Sequence, residues 1–483
     1  MKQIGTLIAF FLWQLMIADA QSSYSLRDIL DIAETQSIFH HQAVADNARA
    51  QAQWGLHQAN LKPSARLNVL APNFSKTSRE IVQPDGSIRF QSVSQNNSSI
   101  GLTLQQPLLA TGATLFAQSD LQRFDDFSAD SKFYNGVPFR VGIFQPIGGM
   151  NTLKWDNQIR PLELKIANKQ YIIDMERIHL LAAERYFDLL LAQVNHQTAS
   201  ANTEVNQQLV NIAEERYELG KISRSELLQL QLELKSAARS KSAAQYQVDF
   251  AEGALWTFLA QTPEDSIALV FPEPMEEIIE IDAMQALRYA QDNRPEIIDF
   301  ERQLLESNRA IKQAQVDYGI QADLFASFGY ARGSDQLSDI YGDPISEQQV
   351  QLSVSIPILD WGRKKNAVAI AQAQKEFTVQ QIAQDRLTFE NDILQMVNSF
   401  MQLQQEVRLQ KDIRDVAIER FSIARERYVL GDISITDLTI AQREKDGALT
   451  DYIASLRSYW VSYYQLRVLT GYDFINNQTI SYQ

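Results

Sequence analysis

The chain has 483 residues, no cysteine, and a formal charge of −15 from 59 acidic and 44 basic side chains. The lack of cysteine excludes a disulfide framework and a thiolate metal site, and the acidic balance argues against nucleic acid as a partner, because phosphate contacts require a basic surface. None of the five histidines belongs to an H-E-x-x-H pattern and no G-x-x-x-x-G-K-[ST] loop occurs, so the sequence predicts neither an enzyme nor a bound cofactor.

In chain order, residues 1–20 read as a secretory signal peptide: Lys2, an apolar run from Ile4 to Ile17, and Ala18-Asp19-Ala20 as the cleavage site. That run is too short for a spanning helix, which needs ~20 residues. Residues 21–272 form a first structural repeat and 273–483 a second, with the boundary in the Pro- and Glu-rich stretch Thr262 to Ile281. The first repeat opens with a helix around Leu30-Asp-Ile-Ala33. Its best strand text is Ile100, Leu102 and Leu104 alternating with polar residues, followed by a Leu108–Gly112 turn and a weaker strand pair around Ala113 to Leu121. Asn73 to Ser99 reads as an exposed loop. Val141-Gly-Ile-Phe-Gln-Pro146 is a strand that ends in proline at a strand-to-helix junction.

From Leu162 to Leu219 there are 58 residues without glycine or proline, enough for a helix of roughly 90 Å at ~1.5 Å per residue. A helical tip and a returning helix of about 38 residues follow. The second repeat restates this order. Leu287-Arg-Tyr-Ala290 corresponds to the opening helix at an offset of 257, whereas Leu352-Ser-Val-Ser-Ile-Pro357 corresponds to the Pro146 strand at an offset of 211. The offsets differ by 46, so the first repeat carries an insertion of that length within its strand region. Leu324, Ala326, Phe328 and Tyr330, and later Val350, Leu352, Val354 and Ile356, alternate with polar residues; Arg332 to Gln349 reads as a loop. The second glycine- and proline-free run spans 68 residues, Arg363 to Leu430.

Both long runs end in one phrase. ERYELGKIS (Glu215–Ser223) and ERYVLGDIS (Glu426–Ser434) agree at seven of nine positions and stand 211 residues apart. Gly220 and Gly431 suit the left-handed position that ends a helix. Ser223 with Glu226, and Ser434 with Asp437, have capping-box spacing and restart one. Each phrase is therefore predicted to be the turn of a helical hairpin.

Export, strands of ~10 residues with one apolar face, and no spanning helix together favour a membrane β-barrel. Two good strands per half, plus a weaker pair, are too few, since closure needs at least ~8. Several chains must therefore share one barrel. These doubled tips, duplicated halves and Pro-ended strands resemble the TolC-like outer-membrane efflux proteins, over nearly the whole mature chain.

The resemblance implies an α+β fold in which long antiparallel helical hairpins form a periplasmic helical barrel continuous with a transmembrane β-barrel shared by three chains, twelve strands in all. It implies a homotrimer in outer-membrane lipid, extending into the periplasm, that exports solutes when a periplasmic adaptor and an inner-membrane pump dock. Carried over by position, the adaptor-docking residues are Leu219, Gly220, Lys221, Leu430, Gly431 and Asp432, and the channel constriction is Glu226 and Asp437, with Tyr217 and Tyr428 beside it. The chain departs from the family pattern where an arginine and a further aspartate are expected after the second glycine: Ile433 and Ile440 stand there. A membrane-anchored adhesive coiled-coil protein is the alternative that long helices alone permit.

Overall fold

A computed structural model describes residues 23–262, 267–272 and 278–482. The predicted signal peptide and much of the 262–281 connection lie outside the described residues. No helix among the described residues is long and apolar enough to cross a membrane. The chain divides into two compact units: a helical one of residues up to 47, 167–295 and 385–483, and a sheet-bearing one of residues 48–166 and 296–384. Each unit draws on both halves of the sequence.

Within the sheet-bearing unit, helix α2 (Ile38–Asn60, which starts in the helical unit) leads into strands β2 (Ser64–Leu70), β3 (Phe74–Val82), β4 (Ile88–Pro107), β5 (Thr114–Asp126) and β6 (Ser131–Ile147). After α6 (Glu296–Asp317) come β8 (Gln321–Ser334), the short α7 (Leu337–Gly342) and β9 (Ile345–Ser355). All these strands form one antiparallel sheet in the order β2-β4-β5-β6-β8-β9, with β3 continuing the β2 side of β4. Six strand positions result, four of them from the first half.

Three strand expectations need correction. The segment Asn73–Ser99 is mostly strand, because β3 pairs with residues 88–96 of β4 in a long polar hairpin turning at 83–87. Backbone ladders need no apolar side chains, so a stretch polar on both faces carries no period-two signal. The weak pair in the insertion is likewise a full ladder, β4 with β5 over Gln95–Pro107. Arg332–Gln349 is also less of a loop than expected, since β8 runs to Ser334 and β9 begins at Ile345.

The helical unit holds α1 (Leu26–Gln36), most of α3 (Thr152–Glu218), α4 (Arg224–Leu259), α5 (Ala283–Asn293), most of α8 (Arg363–Leu430) and α9 (Ile435–Thr470). Short pairs β1 (Ser23–Tyr24) with β7 (Ala268–Leu269), and β10 (Tyr472–Asp473) with β11 (Gln478–Thr479), tie the ends. α3 begins ten residues before the glycine- and proline-free run and continues through Pro161, whose missing N–H forgoes one intrahelical hydrogen bond. Ile178, Tyr186, Phe187, Leu255, Leu259, Phe400 and Tyr463 form its apolar core, each at most 2% exposed.

A buried ionic cluster crosses that core. Arg467 of α9 donates to both carboxylate oxygens of Glu176 on α3 at 2.7 and 2.8 Å and to Asp473 at 3.1 Å. His179 stands 3.0 Å from Glu34 of α1 and 3.6 Å from Glu176, and the Tyr482 hydroxyl donates to Glu176. Burial opposes charge on His179, but hydrogen bonds to Glu176 and Glu34 outweigh it and raise the pKa to about 9. Glu176 is pulled the other way: burial resists ionisation, and His179 and Arg467 overcome it and hold the carboxyl below its usual range.

Candidate functional site

The predicted docking and constriction residues lie at the two helical tips, both in the helical unit. At the end of α3, Gly220 has φ +67° and its N–H donates to the Tyr217 carbonyl, while the Lys221 N–H donates to that of Arg216. At the end of α8, Gly431 has φ +89° and the same two bonds run from Gly431 to Tyr428 and from Asp432 to Arg427. Both are Schellman caps, which need a left-handed residue at the turn. Space does not dictate the glycines: a Cβ on Gly220 would meet nothing within 4 Å, and on Gly431 only an Arg216 nitrogen at 3.8 Å. The backbone angle does.

Three residues past each glycine, both returning helices start in the same way. The Ser223 hydroxyl accepts from the Glu226 N–H at 3.2 Å and the Glu226 carboxylate accepts from the Ser223 N–H at 2.9 Å. Ser434 and Asp437 repeat this at 3.2 and 3.3 Å. Glu226 and Asp437 are therefore capping-box acids in this chain. Leu219, Lys221, Leu430 and Asp432 are exposed around the turns.

The tips pack side by side. Leu209, Val210, Ala213, Leu227, Leu230, Tyr428, Ile435 and Leu438 form a small apolar core beneath them. Tyr428 is 6% exposed and Tyr217 is 40% exposed; burial lifts the Tyr428 phenol above its ordinary pKa. Arg216 joins the two tips by donating to the carbonyls of Tyr428 and Val429 at 3.3 and 2.6 Å. These are among the last carbonyls of α8, at the negative end of its dipole and favourable for a cation; that of Tyr428 also accepts the Gly431 N–H. Sequence reading missed this role; the signal available was an arginine in the last turn of each tip phrase. Its counterpart, Arg427, is exposed.

In the sheet-bearing unit, Pro146 is the next-to-last residue of β6 and Pro357 lies just past β9. Each precedes a positive-φ glycine, Gly148 or Gly362, and then the start of α3 or α8. The sheet has two different faces. Ala65, Leu104, Ala117, Val141 and Phe328 follow one another across five strands, flanked by Leu67, Leu102, Ile143 and Val350. The opposite face carries the row Arg66, Thr103, Gln118, Arg140, Gly329 and Glu347, in which Arg140 and Glu347 form an ion pair. The apolar face is open in the single chain, with Leu67 61% and Val350 78% exposed. A continuous exposed apolar band backed by a polar face is what a membrane-embedded sheet presents.

Comparison with known proteins agrees with this arrangement. Among solved structures, the chain resembles the CmeC outer membrane channel of Campylobacter jejuni (TM-score 0.66, 17% identity, 92% of this chain and 85% of that one). It also resembles the outer membrane protein VceC of Vibrio cholerae (0.62, 15%, 93% and 96%), and the open state of the MtrE outer membrane channel of Neisseria gonorrhoeae (0.60, 17%, 92% and 88%). No curated protein matches it in sequence. The sequence profile described as "Outer membrane efflux protein" matches residues 145–261 and 286–472, which include α8, α9, both tips and β8–β9. The chain belongs to the outer membrane efflux protein family and is an outer-membrane protein.

Proposed function

We propose that three copies of this chain assemble into an exit duct, their strands closing one β-barrel in the outer membrane and their helical hairpins forming a periplasmic conduit. A periplasmic adaptor and an inner-membrane pump engage it at Leu219–Lys221 and Leu430–Asp432. The observation that carries the reading is the pairing of an exposed apolar sheet face with two matching Schellman-capped tips in one chain. The sheet requires lipid on one side, and its polar face provides a wet interior. Each tip offers an exposed leucine beside a rigid turn, a shape a helical partner can grip. The pump supplies the energy and selects the cargo; the duct's own chemistry is that of its walls.

Planar-bilayer recording of the detergent-extracted protein tests the duct. Discrete single-channel steps are expected. A membrane-anchored adhesive protein, with the same long helices, would give none, and silence from correctly assembled protein would overturn the proposal.

A further inference from the structure

The six strand positions come from three strand pairs of one kind, β2–β4, β5–β6 and β8–β9, of which the first has no helical hairpin. Aligned at an offset of 39, Ile100, Leu102, Leu104, Gln106 and Pro107 of β4 match Phe139, Val141, Ile143, Gln145 and Pro146 of β6. The match extends to bonding. Gln106 donates through Nε2 to the Pro107 carbonyl at 2.6 Å and to the Leu61 carbonyl at 3.0 Å. Gln145 donates to the Pro146 carbonyl at 2.7 Å and to the Thr111 carbonyl at 3.1 Å. Leu61 and Thr111 each precede the strand that opens their pair, β2 or β5, by three residues. The same closing strand recurs as β9, offset by 211 from β6, with Pro357 at its end.

The closing strands β6 and β9 run on into α3 and α8. β4 instead turns back: Gly112, at φ +75°, donates to the Leu108 carbonyl at 2.8 Å, and Leu108 to that of Ala113 at 2.7 Å. The Asn151 side chain donates to Leu109 in that turn at 2.8 Å. The β4–β5 hairpin closed by that turn thus lies in line with its neighbours, laddered to β2 and β3 on one side and to β6 on the other, with Leu102 and Leu115 on the apolar face. A flap folded off the wall would have neither ladder.

We infer that the outer-membrane barrel of this protein is built from six strands per chain, eighteen in the trimer, so that its exit is wider than a twelve-stranded one while the number of helical hairpins stays at two per chain. This rests on the three-chain duct proposed above. With strands ~4.8 Å apart and tilted ~40°, the backbone diameter rises from roughly 24 Å at twelve strands to roughly 36 Å at eighteen. A barrel of that size encloses an aqueous channel, so the tips, not the outer-membrane segment, limit the size of what passes.

The test is single-particle imaging of the full chain in lipid nanodiscs, with the chain number taken from native mass. Three chains and eighteen strands at membrane level are expected. Three chains with twelve strands would overturn the inference and leave the duct standing; a different chain number would overturn the three-chain reading itself. Labelling gives a second readout in a protein without native cysteine. Leu115→Cys should react with a membrane-soluble maleimide and lose reactivity toward a bulky water-soluble one, and Gln118→Cys should do the reverse. Equal labelling of both by the water-soluble reagent would show that the pair stands off the wall, and would overturn the inference.

Discussion

The ionic cluster at Glu176 and the paired tips are both polar devices in the helical unit, but one is finished within the chain and the other is not. Glu176 has no exposed surface, and Arg467, His179 and Tyr482 gather on its two oxygens. At the tips, Arg216 caps the last carbonyls of α8, yet its counterpart Arg427 is exposed, and Tyr217 is open where Tyr428 is covered. The repeat makes the two tips near-copies, so in the three-chain duct proposed above a neighbouring copy's α8 tip would do for α3's tip what α3's does for α8's. On this reading the complete region holds the chain folded and the incomplete one is left for copies and partners.

The sharpest way to break this contrast is Glu176→Ala, which removes the one carboxylate shared by Arg467 and His179, leaving them only Asp473 and Glu34, and should cost about 3–5 kcal/mol. Denaturant titration of the purified protein measures it, and a loss no greater than that of a tip variant would erase the distinction. pH acts on the same cluster. His179 has its folded pKa raised to about 9, so its contribution is complete below the unfolded value of ~6.5 and disappears as pH rises through 9, a fall of about 3 kcal/mol. Glu176, shifted downward, acts at the other end, its contribution present above the unfolded carboxylate pKa and lost in acid. Urea midpoints at pH 6 and pH 10 should differ accordingly, and a flat profile would show that the histidine carries no linked charge.

The tip variants should behave differently. Gly220→Val and Gly431→Val force a β-branched residue into φ +67° and φ +89°, at a cost of ~1–2 kcal/mol each. Assembly should survive while cross-linking to the adaptor and export are lost; normal cross-linking in both would remove the tips from docking. Arg216→Ala removes the guanidinium from the Tyr428 and Val429 carbonyls and should speed amide exchange around the tips about fivefold, equivalent to ~1 kcal/mol. Arg427→Ala should match it in the assembled protein and have no effect in the dissociated chain. The smallest structural effect is expected from Glu226→Gln with Asp437→Asn, which keeps most of the capping geometry and removes six carboxylates from a three-chain mouth. Cation preference should fall in single-channel recordings; if it does not, the acids serve only as helix caps.

The tips were readable from sequence because their geometry depends on local chemistry. A glycine at a left-handed position and a hydroxyl three residues before an acid specify a cap whatever surrounds them, and Gly220, Gly431, Ser223 and Ser434 all occupy such positions. The apolar faces of β8, β9 and the Ile100–Leu104 segment were legible because a sheet with one apolar and one polar face imposes a period of two. β3 and the outer part of β4 carried no such signal and β5 only a weak one: residues Ser92–Ser99 and Gln118–Gln122 are mostly polar, and pairing partners distant in sequence make them strands. The Glu176 cluster was invisible for the same reason, since Glu34, Glu176, Arg467 and Tyr482 meet only once the helices pack.

The central claim, that one chain is a third of a closed outer-membrane duct, is tested most directly by native mass measurement on the detergent-extracted protein, made on the same preparation that conducts in planar bilayers. Three chains per particle in the conducting preparation is the predicted result; a single chain that still conducts ions would contradict it.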